Sequence, residues 1–322
     1  MADDRILDGI ANLTRALAAP WRMFGSPPSR AMLEGLRSRN VMLDALFYDV
    51  KVVRPEEALT LAPPAFGGKA EEGSVLIVPP SGGEPLRISA DLDDFFAHGG
   101  ADIDTLTVAG VGSSALGTAA FARNVADALG RPVAAVVSGY GLADLADEAA
   151  GGFLWFYGLT SLHDLHERID RSLDWVRALQ GGAMVGAEVH AVGRDSDAVL
   201  ALLTDERSKI ATVVAHSKGN LVVSDALHTL QRTDRARSDA LGAKIHVVSI
   251  SSRHTMPRSC RQVTEIVGRW DRIGDFAMRR EAPPDVVVPD AWHHTNTDLF
   301  GHLPVTRVLK DLFAAEDTTK EG

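Results

Sequence analysis

Cysteine is almost absent from this chain. Cys260 is the only one in 322 residues, which excludes an intrachain disulfide and suits a reducing compartment, so the expected location is cytoplasmic. No uncharged apolar run reaches the roughly 18 residues that a membrane-spanning helix requires. The most apolar short stretch, Gly151-Gly-Phe153-Leu-Trp155-Phe156-Tyr-Gly-Leu159, falls well below that length. Met1-Ala-Asp-Asp-Arg lacks the basic-then-apolar order of a signal peptide. Positive charge is in deficit. The 33 Lys and Arg stand against 43 Asp and Glu, a formal net charge of −10, spread rather than clustered, which argues against nucleic acid as a partner. Internal repeats and low-complexity blocks are missing as well. What is present is ample apolar material: 45% of the residues are hydrophobic, enough for one large α/β domain with insertions or for two smaller ones.

Along the chain, an irregular lead segment gives way to alternating elements. Ile6, Leu7, Ile10, Leu13, Leu17, Trp21 and Phe24 recur at helical spacing over residues 5–24. Such a stripe docks on its parent domain or makes a peripheral membrane contact, and a polar face that is not strongly basic favours docking. Ser26-Pro-Pro-Ser breaks the chain, a second helix is expected over about 29–48, and the Pro- and Gly-rich region 54–87 holds a strand at Val75–Val78. Strands then follow at 105–109, 132–138, 187–191, 211–215, 244–250, 262–267 and 285–289. Helices are expected at 115–129, 142–180, 195–204, 219–232 and 304–315. Buried strands alternating with helices imply a mainly parallel sheet covered on both faces. The expected organisation is a helical lead segment with the first strands over 1–103, a core over 104–315, and a polar tail over 316–322.

The most informative run is Ala211-Thr-Val-Val-Ala215-His216-Ser217-Lys218-Gly219. Small and β-branched residues read as a buried strand, and the residues after Gly219 have helical spacing. A strand that breaks sharply into a helix leaves no room beside its central serine, so small residues are needed two before and two after it. The strained turn lifts the Ser217 hydroxyl to the top of the sheet, at the positive end of the helix. This small-x-Ser-x-Gly turn resembles the nucleophile elbow of the α/β-hydrolases, with Ala215 where the usual pattern has glycine. The resemblance covers about residues 104–315 and implies an α/β-hydrolase-like sheet. It also implies a helical cap inserted near the active site, for which 142–195 is the candidate.

A serine hydroxyl needs a histidine base oriented by a buried carboxylate. The resemblance implies that acid and base follow the elbow in that order. Asp271, just past a strand in Val267-Gly-Arg-Trp-Asp271, is the first choice, with Asp275 the nearby competitor. His293, His294 and His302 all fall between the last strand and the last helix. His302 is the chosen base, because Gly301-His302 before a helix resembles the family's C-terminal signature, and His294 is the alternative. His216, inside the elbow, is not expected to be the base. For the oxyanion, one donor is the amide of Lys218, whose ammonium is expected to be solvated, and the other is Val111 or Gly112 in the loop Gly110-Val-Gly112-Ser-Ser114.

That glycine loop also supports a rival. Gly110-x-Gly112-x-x-Ala115, after a strand and opening a helix, outlines the dinucleotide fingerprint of NAD(P)-dependent oxidoreductases. The next strand ends Val136-Val-Ser138-Gly-Tyr140 without the acid that would hold the ribose. His163 and His166 lack a third ligand with zinc-site spacing. A catalytically inactive hydrolase fold serving as a binding module is the third class. The expectation taken forward is a serine hydrolase that cleaves a carboxylic ester through an acyl-enzyme, with no cofactor and no metal. Thioesterase and acyltransferase chemistry are close variants. Phe153, Trp155 and Phe156 would line a site for an apolar acyl group, making the partner a small-molecule or lipid-like ester.

Overall fold

The computed structural model describes residues 44–61, 70–110, 113–138, 194–271 and 283–320, all within the unit formed by Pro28–Gly141 and Gly193–Gly322. The strands are β1 (Val75–Val78), β2 (Arg87–Ser89), β3 (Thr105–Val108), β4 (Val133–Val136), β5 (Thr212–His216), β6 (His246–Ile250), β7 (Gln262–Gly268) and β8 (Val286–Val288). The helices are α1 (Pro55–Leu61), α2 (Leu92–Ala97), α3 (Ala115–Leu129), α4 (Arg194–Thr204), α5 (Lys218–Thr233), α6 (Arg235–Gly242) and α7 (Val305–Lys320). The strands form one eight-stranded sheet in the order β2-β1-β4-β3-β5-β6-β7-β8. β1 runs antiparallel to both of its neighbours, and every other pairing is parallel. This is a mostly parallel α/β fold.

The alternation of side chains along each strand divides the core in two. On one face Leu76, Ala135, Val214 and Val248 pack with Ala119, Phe121 and Val125 of α3 and with Val305 and Leu309 of α7. On the other face Ile77, Leu106, Val213, Ala215 and Val247 pack with Phe95 of α2, Leu202 of α4 and Val222 and Val223 of α5. Strands buried on both sides can carry apolar residues continuously, which is why β1 and β4 read as short unbroken apolar runs in the sequence.

The first face also holds an ion pair. Arg123 of α3 is 1% exposed and donates from one terminal nitrogen to both oxygens of Glu57 at 2.8 Å, while the other terminal nitrogen reaches the Pro79 carbonyl at 2.7 Å. Glu57 additionally accepts from the amides of Arg54 and Leu86 at 3.0 and 2.8 Å. These bonds outweigh burial and hold its carboxyl below the usual carboxylate range. A buried charge retained with that many partners fixes α1 and the β1–β2 connection against α3.

Several elements depart from the sequence expectation. Of the helix expected over 29–48, residues 44–47 are helical and 29–43 lie outside the described residues. The region 54–87 holds α1 in addition to β1, β2 begins at its last residue, and neither α2 nor α6 is expected from the sequence. α7 continues to Lys320, through most of the expected polar tail. The lead stripe 5–24, the strand at 187–191 and the cap candidate up to residue 193 lie outside the described residues.

The topology singles out one end of the sheet. From β3 the chain passes through α3 to β4, toward one edge, whereas from β5 it passes through α5 and α6 to β6, toward the other. β3 and β5 are neighbours, with Val108 opposite Ala215. The connections therefore diverge at their carboxyl ends and leave a crevice, the usual place for a ligand in such sheets.

Candidate active site

Ser217 stands at that crevice, between β5 and α5, with φ 53° and ψ −123°. It is one of three non-glycine residues with positive φ among the described residues, a backbone state costing on the order of 1–3 kcal/mol. The surroundings explain the small residues. A Cβ on Gly110 would sit 2.7 Å from the Ser217 Cβ and 3.0 Å from the His216 carbonyl oxygen. One on Gly219 would collide with the Val108 and Ala109 carbonyls at the end of β3. Ala215 is wholly buried in the second core layer.

The strained turn is braced from β6. The Ser217 amide donates to the Ile250 carbonyl at 2.9 Å. The Ser217 carbonyl accepts from the Ser252 hydroxyl at 2.7 Å and the Asn220 side-chain amide at 3.2 Å. Asn220 also donates to the Ile250 carbonyl at 3.1 Å.

The Ser217 hydroxyl meets a histidine and an acid. Its Oγ lies 2.8 Å from Nε2 of His293, and Nδ1 of His293 lies 3.0 and 2.9 Å from Oδ1 and Oδ2 of Asp271. The ionised carboxylate can only accept, so it holds the proton on Nδ1. Nε2 is left as the acceptor for the serine hydroxyl. Asp271, whose side chain is 0% exposed, follows β7 in a turn closed by its amide on the Gly268 carbonyl at 3.0 Å. His293 lies five residues past the end of β8, its ring edge-on to Phe47 at 6.1 Å.

Ser217 and Asp271 are thus brought together as expected, but the imidazole between them is His293, not His302 or His294. His302 sits before α7, partly exposed, with Nδ1 3.2 Å from the Leu299 carbonyl. The reason is the path of the loop. Bonds from the Trp292 amide to the Gly301 carbonyl and from the Leu303 amide to the His294 carbonyl tie its two limbs together, with Gly301 at φ 74°. The first limb turns His293 toward Ser217, while His302 stands on the outer one. His294 is partly buried, which pulls its imidazole below the usual range. Asp275, Val111, Gly112, Phe153, Trp155 and Phe156 lie outside the described residues.

The Lys218 amide opens α5 beside Ser217, where the helix dipole is positive. Its side chain is buried, not solvated as expected, and burial pulls the ammonium down to about 8. The Gly110 amide is committed to the Tyr48 hydroxyl at 2.6 Å. Ser114 caps α3 by accepting from the Leu116 amide at 3.0 Å. The carboxyl of Asp44 lies at that same helix end, accepting from the Ser114 amide at 3.0 Å and from the Ser114 hydroxyl. Burial pushes Asp44 up to about 8 against the lowering effect of those bonds.

Asp44 and Tyr48 were not singled out from the sequence. Neither belongs to a motif, and only the fold carries their segment across to the loop after β3 and to the histidine loop. The second junction is made by the Thr295 amide on the Phe47 carbonyl at 2.7 Å, Asn296 Nδ2 on the Ala45 carbonyl at 2.6 Å and the Thr297 hydroxyl on Asp49 at 2.6 Å.

No family model, curated protein or solved structure matches the chain. Among the described residues no helix is long and apolar enough to cross a membrane, and no group of three or more His, Cys, Asp or Glu side chains is placed to hold a metal ion.

Proposed function

We propose that the protein is a serine hydrolase of α/β-hydrolase type that cleaves a carboxylic ester through an acyl-enzyme. The observation that carries this reading is the unbroken chain Ser217 Oγ–His293–Asp271, 2.8 Å and then 2.9 Å, set on a positive-φ turn between a strand and a helix. In this reading Ser217 Oγ attacks the acyl carbon while Nε2 of His293 takes its proton. The Lys218 amide and a second donor from the 110–114 loop hold the oxyanion, and the imidazolium returns the proton to the leaving alkoxide. Water, activated by the same imidazole, then releases the acid. A thiol leaving group or an alcohol acceptor in place of water would use the same groups, so thioesterase and acyltransferase activities are variants of one mechanism.

The dinucleotide reading is less favoured, because its pyrophosphate would need the N-terminus of α3, where the carboxyl of Asp44 already accepts from Ser114. An inactive binding module would have no use for a strained serine hydrogen-bonded to an imidazole that is itself held by a buried carboxylate. The test is labelling with a fluorophosphonate, located by peptide mass spectrometry, followed by a panel of acyl esters of increasing length. The label is expected on Ser217, and Ser217→Ala should lose ester hydrolysis by about 10⁴-fold while remaining folded. Labelling elsewhere, or hydrolysis within tenfold of the parent in Ser217→Ala, removes the reading.

A further inference from the structure

His216 has no part in the proton transfers described above, yet it is buried directly behind the base. Its Nε2 is 2.9 Å from the His293 carbonyl, and its Nδ1 is 3.3 Å from the Tyr48 hydroxyl. Its ring lies among those of Tyr48, Phe121 and His293, with centroids 5.6, 5.7 and 5.2 Å away. Burial, then the neighbouring His293, depress its imidazole to about 3, so it is neutral at physiological pH.

The protons on this chain of bonds can be assigned by elimination. A carbonyl only accepts, so the His216 proton is on Nε2, facing His293. A neutral imidazole carries one such proton, so Nδ1 accepts, and the Tyr48 hydroxyl must donate to it. That leaves the tyrosine oxygen free to accept from the Gly110 amide, as its 2.6 Å contact requires. The Ser251 hydroxyl is a second, longer contact to the His293 carbonyl, at 3.5 Å. We propose that Tyr48 and His216 are positioning residues that couple the loop after β3 to the catalytic base. The His293 carbonyl sets the His216 tautomer, Tyr48 holds the ring from Nδ1, and His216 in turn holds the backbone of His293, so that Nε2 of the base stays aimed at Ser217 while Gly110 stays against the elbow. This stands further out than the pairing of Asp271 with His293 and uses the same device, hydrogen bonds at both ring nitrogens that hold an imidazole in one direction.

The kinetic part of this proposal rests on the serine-hydrolase reading, whereas the tautomer does not. Tyr48→Phe keeps the ring and removes only the hydroxyl. Fluorophosphonate titration first counts competent sites, and kcat for a short aryl ester is then expressed per titrated site. A fall of about 10- to 100-fold in kcat per site, with KM within about twofold, is expected for a base displaced by a fraction of an ångström. His216→Gln should fall similarly, and the double variant little further than either. A purely structural role would lower the number of titratable sites and the melting temperature but leave kcat per site unchanged, which overturns the proposal. In parallel, ¹⁵N spectra of the imidazoles should show His216 protonated on Nε2 in the parent and in Tyr48→Phe, with the Nδ1 resonance losing its hydrogen-bond shift in the variant. An Nδ1 proton in the parent sinks the relay whatever the enzyme does. Failure of the parent to label at Ser217, with the tautomer as assigned, counts against the hydrolase reading alone.

Discussion

Replacing Asp271 by asparagine isolates the charge behind the candidate base. The side chain is 0% exposed, and both of its oxygens lie within 3.0 Å of His293 Nδ1, so the substitution keeps shape and changes only charge and donor pattern. In the transition state of the proposed reaction the imidazole becomes a cation. A unit charge pair about 4 Å apart at an effective dielectric near 20 is worth about 4 kcal/mol, and each 1.36 kcal/mol is tenfold in rate. Loss of that attraction alone gives roughly 10³. The amide can also present its NH₂ group to Nδ1, which drives the imidazole proton to Nε2 and removes the acceptor that Ser217 needs. The expected loss in kcat is therefore about 10³–10⁴, with KM nearly unchanged because no substrate contact is altered. The assay is hydrolysis of a short aryl ester under saturating substrate, with the rate of fluorophosphonate labelling as an independent readout. A kcat within tenfold of the parent, in a variant whose melting curve is unchanged, would mean that Asp271 does not orient the base and that its position behind His293 is incidental.

Other expectations bear on the same core. His293→Ala should match the loss seen in Ser217→Ala, whereas His302→Ala and His294→Ala should stay within about tenfold of the parent, measured by the same ester assay; the reverse order would restore the sequence-based choice of His302. The Asp44 carboxyl, raised to about 8 in the folded protein, is protonated there when it is already ionised in the unfolded chain, so its contribution is full below about 4 and fades as pH rises toward 8. Chemical denaturation between pH 6.5 and 8 should therefore show stability falling in the parent, by at most about 1.4 kcal/mol per pH unit from this group, and a flatter profile in Asp44→Asn. Glu57→Gln strands the buried guanidinium of Arg123 and should lower the unfolding free energy by about 3–5 kcal/mol in urea titrations; a change below about 1 kcal/mol would show that water reaches Arg123.

Much of the sheet is legible in the sequence because strands buried on both faces leave short runs dominated by apolar and β-branched residues. β1, β3, β4 and β6 are four- or five-residue segments with every residue buried, and α3 ends on Gly130, whose φ of 67° marks the stop. The elements that escape are those whose residues answer to other needs. β2 is a three-residue edge strand with only Ser89 buried, so it carries no alternation to detect. α1 buries just Glu57 and Leu61, and the glutamate, which pattern reading assigns to solvent, is the partner of Arg123. α2 is six residues long and is started by the Asp91 side chain accepting from the Asp94 amide, a local cap with no room for a periodic stripe.

The same division explains the site. Ser217 could be found because a strained turn restricts its immediate neighbours, Ala215 and Gly219, and leaves a trace within a few residues. Asp271 could be found because it ends a readable strand. The histidine could not be chosen with the same security. His293, His294 and His302 share one loop, and what separates them is the direction each side chain takes once the Trp292–Gly301 and His294–Leu303 backbone bonds close it. Those bonds leave no residue-type signature, since any two peptide groups can make them. The segment 44–49 is harder still, because its residues act on loops some 60 to 250 positions away, at Gly110, at Ser114 and at Thr295–Thr297. The candidate nucleophile is therefore written locally, in its own turn. The aim of the candidate base is set by long-range packing, and variants at Tyr48 and Asp44 are where the two contributions can be separated experimentally.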